Sequence, residues 1–180
     1  MTTWSLKRTL AAGGALAAAG ALAAGATAST GAAGHAAAAK KITRSGVGGV
    51  TLGTRYARLR ADGLVGRIGP GCELGGPNTR SARLARPLRG SVDFTLSTPR
   101  RVRSITVTGG ATARGVHVGS KRRAIRRAYP KVRFDHATDD TFGLTLAKVP
   151  RSGGGRIQFA VDVKTHRVTA IGVPFIAFCE

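Results

Sequence analysis

The sequence predicts an α+β fold. It reads as two tandem repeats, each a short helix followed by antiparallel strands, forming a shared antiparallel sheet with helices on one face. Three observations predict it. The stretches GVTLGTRYARLRADG, from Gly49, and GVHVGSKRRAIRRAYP, from Gly115, align at one offset of 66 positions, which matches Gly49 with Gly115, Gly53 with Gly119 and Leu59 with Ile125. Runs of period-two hydrophobicity follow each copy, as half-buried strands require. A chain of 180 residues with 42% hydrophobic content is long enough to bury a core of its own.

The elements follow in order. Lys7 and Arg8 precede an Ala, Gly and Leu run from Leu10 to Ala26, the charged and apolar regions of an export signal. Cleavage after Ala28 or after Ala39 satisfies the small-residue rule, so residues 1–39 read as a signal peptide, 40–110 as the first repeat and 111–180 as the second. No other apolar run is long enough to span a bilayer, so the mature chain is expected to carry no membrane span and to be secreted, extracellular or in the cell envelope. Residues 40–49 read as a mobile basic lead-in. Val50 and Leu52 then alternate as a strand, Gly53 turns, and Thr54 caps a helix through Ala61 that Gly63 stops. Leu64 to Gly76 is broken by Gly and Pro and reads as a bent edge strand presenting Cys72.

Arg80, Arg83, Arg86 and Arg89 recur every third residue, a spacing that lines them up on one side of a polyproline-like or tight helical segment. Val92, Phe94 and Leu96 then point one way from a strand, and Ile105 and Val107 supply the apolar face of the next. In the second unit Ser120 caps a helix that Pro130 ends, with Ala124, Ile125, Ala128 and Tyr129 as its stripe. Three strands complete it: one opening at Val132, one with Phe142, Leu144 and Leu146 inward, and one with Ile157, Phe159, Val161 and Val163 inward, before a last run RVTAIGVPF. The opposite sheet face, rich in Thr, Arg, Asp and Gln, is expected to stay open to solvent.

Charge and cysteines bound the function. A formal net charge of +21, with Lys+Arg 29 against Asp+Glu 8, favours polyanions. The candidate anion-binding residues are Arg80, Arg83, Arg86 and Arg89, with Arg122, Arg123, Arg126 and Arg127 on the second helix. No aromatic interleaves with the first four, so stacked bases have no platform and no specific nucleic acid is predicted. Cys72 and Cys179 in an exported chain are expected to pair as a disulfide, two free thiols or a metal site being the alternatives. Asp135, His136, Asp139 and Asp140 form the most enzyme-like cluster, although Asp and Thr are also ordinary turn formers between strands. No metal-ligand spacing, nucleotide loop or nucleophile elbow is present, so no catalytic residue, metal or cofactor is assigned. Gly49, Gly53, Leu59, Gly115, Gly119 and Ile125 are turn and core positions of the repeat.

The doubled pattern G-V-x-[LV]-G-[ST], then a short helix, then antiparallel strands, resembles the β-lactamase-inhibitory-protein-like fold, which small outer-membrane assembly lipoproteins share in single copy. The resemblance implies a scaffold whose concave sheet binds a partner protein. These readings give a secreted non-enzymatic binding module, engaging either an anionic envelope polymer or an extracellular or envelope protein. The alternative is a secreted hydrolase or metal-dependent enzyme using Asp135, His136 and Asp139.

Overall fold

The computed structural model describes residues 39–72, 78–152 and 155–178. By internal contacts the chain divides into Met1–His35 and Ala36–Glu180. The first unit, with the expected leader, lies outside the described residues. The elements of the second are β1 (Lys40–Lys41), β2 (Gly46–Val47), β3 (Val50–Thr51), α1 (Tyr56–Ala61), β4 (Val65–Pro70), β5 (Arg80–Leu84), β6 (Arg89–Phe94), β7 (Val102–Gly109), β8 (Ala111–Thr112), α2 (Arg122–Ala128), β9 (Arg133–Asp135), α3 (Asp139–Phe142), β10 (Leu144–Ser152), β11 (Gly155–Asp162) and β12 (Val168–Val173). Eight strands form one antiparallel sheet in the order β4-β5-β6-β7-β12-β11-β10-β9, so the chain is α+β. Two small pairs, β1 with β8 and β2 with β3, lie outside it.

Period-two alternation sorts the side chains into two clusters. Val92, Phe94, Ile105, Val107, Ala147, Ile157, Phe159, Val161 and Ile171 join Leu59 of α1 and Ile125 of α2 in the larger core. The helices are short, and each buries a single side chain fully: Leu59 at 1% and Ile125 at 0% exposure. The same hydrogen bonds hold both to the sheet. Gly53 N–H donates to Val102 O at 2.9 Å, Val102 N–H to Thr54 O at 2.9 Å and Tyr56 N–H to Arg100 O at 2.9 Å. In the later half Gly119 N–H donates to Val168 O at 2.7 Å, Val168 N–H to Ser120 O at 2.9 Å and Arg122 N–H to His166 O at 2.9 Å. Gly53 and Gly119 turn the chain with φ of +78° and +93°, a region that side chains with a Cβ rarely enter.

Several expectations need correction. Thr54 and Ser120 are not the caps: Arg55 and Lys121 occupy the cap positions without a side-chain bond, while Thr54 Oγ1 meets Thr51 Oγ1 and Ser120 Oγ accepts from His117 N–H. The lead-in is tied down, since β1 pairs in parallel with β8 and Ile42 is 3% exposed in the core. Leu96 lies beyond the end of β6 and is 52% exposed. Phe142, expected as an inward strand residue, ends α3, and Asp139 and Asp140, expected in a turn, open that helix. Leu144 and Leu146 face away from the main core; the inward residues of β10 are Ala147 and Val149. The strand reads apolar on both faces because both are covered.

The cover on the second face is the C-terminal segment. Leu146, Ala160 and Ala170 form a cross-strand row, and Ile176 packs on it. Gln158 Oε1 accepts from Ile176 N–H at 3.2 Å, Phe142 stacks on Phe178 at 4.8 Å, and Arg103 lies over the Phe175 ring at 5.7 Å. Gly172 makes the close approach possible, because a Cβ there would sit 2.5 Å from Ile176 Cγ1. The face expected to be open is therefore closed over β11 and β12 by residues 174–178.

Candidate anion-binding surface

The second helix has too few apolar positions to bury more than one edge, and its Arg-rich sequence covers the remainder. Lys121, Arg123, Arg126 and Arg127 are exposed, and Arg122 is half-buried. Lys121, Arg122, Arg123 and Arg126 line one open groove with Thr165 and His166, while Arg127 stands outside it. The facing wall is the β11–β12 turn. Asp162 shapes that turn by accepting from Thr165 N–H at 2.6 Å and Thr165 Oγ1 at 2.7 Å, and these bonds hold its carboxyl below the ordinary carboxylate range.

Two of the groove's cations are set by a ring. Arg122 Cζ lies 3.9 Å and Arg126 Cζ 5.1 Å from the centroid of Phe134. Stacking on an aromatic face fixes a guanidinium plane and leaves its N–H edge for an oxyanion. Arg122 Nε is buried with no hydrogen-bond partner among the described residues. The same stacking occupies Phe134, so the ring offers no platform to a base. Arg122 also acts on Asp139, whose carboxyl is held below its ordinary value chiefly by its bond with His136.

The Arg80, Arg83, Arg86 and Arg89 ladder does not form. Arg80 and Arg83 lie on β5, where a spacing of three in a period of two sends them to opposite faces. Arg86 precedes a cis proline in the β5–β6 turn, and Arg89 opens β6 with its guanidinium against Gly109. The four share no edge.

The acidic cluster is a clasp. His136 Nδ1 and Asp139 Oδ2 are 2.6 Å apart, Thr145 Oγ1 donates to Asp139 Oδ1 at 2.8 Å, Lys148 pairs with Asp135, and Asp135 Oδ1 accepts from Ala137 N–H at 3.0 Å. Its carboxylate bonds run between α3, β9 and β10. Lys148 leads the bonds that hold the Asp135 carboxyl low. Among the described residues no group of three or more His, Cys, Asp or Glu side chains is arranged to hold a metal, and no helix is long and apolar enough to cross a membrane.

Cys72 is half-buried and unbridged among the described residues, with Sγ against the carbonyl oxygen of Phe178. Cys179 lies outside the described residues.

Sequence reasoning missed Thr165, His166 and the Phe134 support, because a groove between a helix and a hairpin turn leaves no spacing signal. It also missed two cation pairs. Isolated bridges set Arg55 opposite Arg101 and Lys121 opposite Arg167. The signal was present, since the offset of 66 carries Arg55 to Lys121 and Arg101 to Arg167, but the second member of each pair lies outside the aligned stretches. Comparison with protein-family models, with curated proteins and with solved structures finds no match.

Proposed function

We propose that this chain is an exported, non-enzymatic module that binds an anionic polymer of the envelope or extracellular space through its helices. The observation that carries the reading is the α2 groove, with four cations and no carboxylate in its lining. An apolar protein interface is disfavoured: Leu96 is the one exposed large hydrophobic among the described residues, and protein interfaces centre on buried aromatic or aliphatic anchors. The sheet face that the inhibitory-protein resemblance would use is partly covered by residues 174–178.

The scaffold we propose is a duplicated one, residues 40–110 and 111–180, with α1 and α2 as one layer over the main core. The sheet bonds of Gly53, Tyr56 and Val102 and those of Gly119, Arg122 and Val168 support it, each donor and acceptor recurring 66 positions on. So do Leu59 and Ile125, buried in one cluster.

Binding of the purified protein to long-chain polyphosphate, titrated across salt concentrations, tests the function. Affinity is expected to fall steeply with salt as counterions are released. The triple variant R122Q/R123Q/R126Q is expected to lose tenfold or more at low salt and to show a shallower salt slope. No binding at low salt, or binding that salt leaves unchanged, overturns the reading.

A further inference from the structure

We infer that two like-charged cross-strand pairs, Arg55 with Arg101 and Lys121 with Arg167, are matched subsites for the phosphate groups of one linear polymer. The inference rests on the polyanion reading and assigns its contacts. Like charges placed directly opposite each other destabilise a strand pair, and both halves of the proposed duplication keep such a pair despite that cost. All four side chains are exposed, and none takes part in the ion pairs found among the described residues, which are Arg58 with Asp62, His136 with Asp139 and Lys148 with Asp135.

One member of each pair is also held in position. Arg101 Nη1 donates to Gly53 O at 3.0 Å, and Arg167 Nη1 donates to Gly119 O at 2.8 Å. A guanidinium carries five N–H donors, so one anchoring bond fixes its plane and leaves the fork available to an oxyanion. The first pair opens onto a groove with the Thr51 and Thr54 hydroxyls, Arg58 and Asp62, whose carboxylate is paired with Arg58 at 3.7 Å. Lys121 of the second pair lines the groove with Thr165 and His166, and Arg167 stands outside that lining. An anion between the two members of a pair turns their repulsion into a shared attraction.

The sheet register sets their spacing. In the central pair of strands Ile105 faces Val173 and Val107 faces Ile171, so Arg101 and Arg167 enter β7 and β12 from opposite ends. About ten residues of strand separate them, or roughly 30 Å. A short oligophosphate reaches one pair, whereas a long chain reaches both, and the second contact then forms at high effective concentration.

The experiment compares tripolyphosphate with long-chain polyphosphate on wild type, R55Q/R101Q, K121Q/R167Q and a control, R83Q/R133Q, that removes two exposed charges outside both pairs. Each pair variant is expected to lose at least tenfold in affinity for the long chain and no more than about twofold for tripolyphosphate, which keeps the other subsite. The control should lose less than threefold on either. Relief of repulsion and loss of the Arg101 or Arg167 bond to a turn carbonyl oppose each other, so each pair variant should unfold cooperatively with a midpoint near that of wild type, which separates lost contacts from lost fold. If wild type binds the long chain and the control weakens it as much as the pair variants do, the two-subsite inference falls and the polyanion reading stands. If wild type binds neither probe, both fall.

Discussion

Asp93 sits on the second face of the sheet at the middle of a row of small polar residues, paired with Ser104 on one side and Ser81 on the other. Ser104 Oγ donates to Asp93 Oδ2 at 2.8 Å. Burial nonetheless pushes the Asp93 carboxyl above its ordinary value, against the opposing pull of Ser104 and the Arg103 charge. A raised folded-state pKa contributes stability that is complete below the ordinary carboxylate value and is lost as pH rises through the raised one. Asp93→Asn keeps an acceptor for Ser104 and carries no charge to desolvate. Its unfolding midpoint should equal or exceed that of wild type at pH 7, with the gap closing below about pH 4. Ser104→Ala, which leaves the carboxylate without its donor, should cost about 1 to 3 kcal/mol at pH 7. A lower midpoint for the Asn variant at pH 7, measured by thermal denaturation, would show that the charge is stabilising. Asp135, Asp139 and Asp162 carry the opposite sign: their lowered values add stability above the ordinary range that disappears as pH falls through the lowered values.

Among the elements, the C-terminal segment decides how much of the second face of the sheet stays open. Its contact at Gly172 involves both side chain and backbone, since a Cβ added there would sit 2.5 Å from Ile176 Cγ1 and 2.6 Å from Phe175 C and O. Gly172→Ala should push the segment off β12 at a cost of about 1 to 3 kcal/mol, the range for overpacking. Hydrogen exchange should speed up at residues 175–178 and stay slow in β7 and β11. Unchanged exchange at the segment would mean that it does not rest on Gly172. None of this was legible in the sequence: PFIAF is apolar without a period that names its partner, and a segment crossing a sheet face makes few ladder bonds to fix its register. The same cover explains the misread face of β10. LTLAKV offers Leu144 and Leu146 on one side and Ala147 and Val149 on the other, and only the C-terminal residues make both sides apolar environments. By contrast β6, β7, β11 and the helices α1 and α2 were legible, since alternation or the doubled G-x-x-x-G turn sets each locally. The α2 cations were visible one by one, while the groove they line is a product of tertiary packing.

Across the sheet as a whole, the strand order places β7 and β12 at the centre and β4 at an outer edge. Cys72 follows β4, and its Sγ meets the carbonyl of Phe178, the residue bonded to Cys179. A proposed Cys72–Cys179 disulfide would therefore pin the end of the covering segment to the outer edge of the first half, closing a loop of about 100 residues. Such a loop contributes about 4 to 5 kcal/mol in the chain-entropy treatment. Its formation removes two protons and two electrons from the thiols, accepted by a donor disulfide in an oxidising compartment, so its presence also bears on export. Native protein treated with an alkylating agent should take up no label before reduction and two labels after it. Reduction, or the C72S/C179S variant, should lower the unfolding midpoint and expose the second face to exchange, while polyphosphate binding on the helical side persists. Full labelling of both thiols in unreduced, folded protein would remove the bridge from the design. It would leave the segment held by non-covalent contacts, among them the Gln158 bond to Ile176, the packing of Ile176, the Arg103–Phe175 contact and the Phe142–Phe178 stack, so that its displacement from the sheet would break no covalent bond.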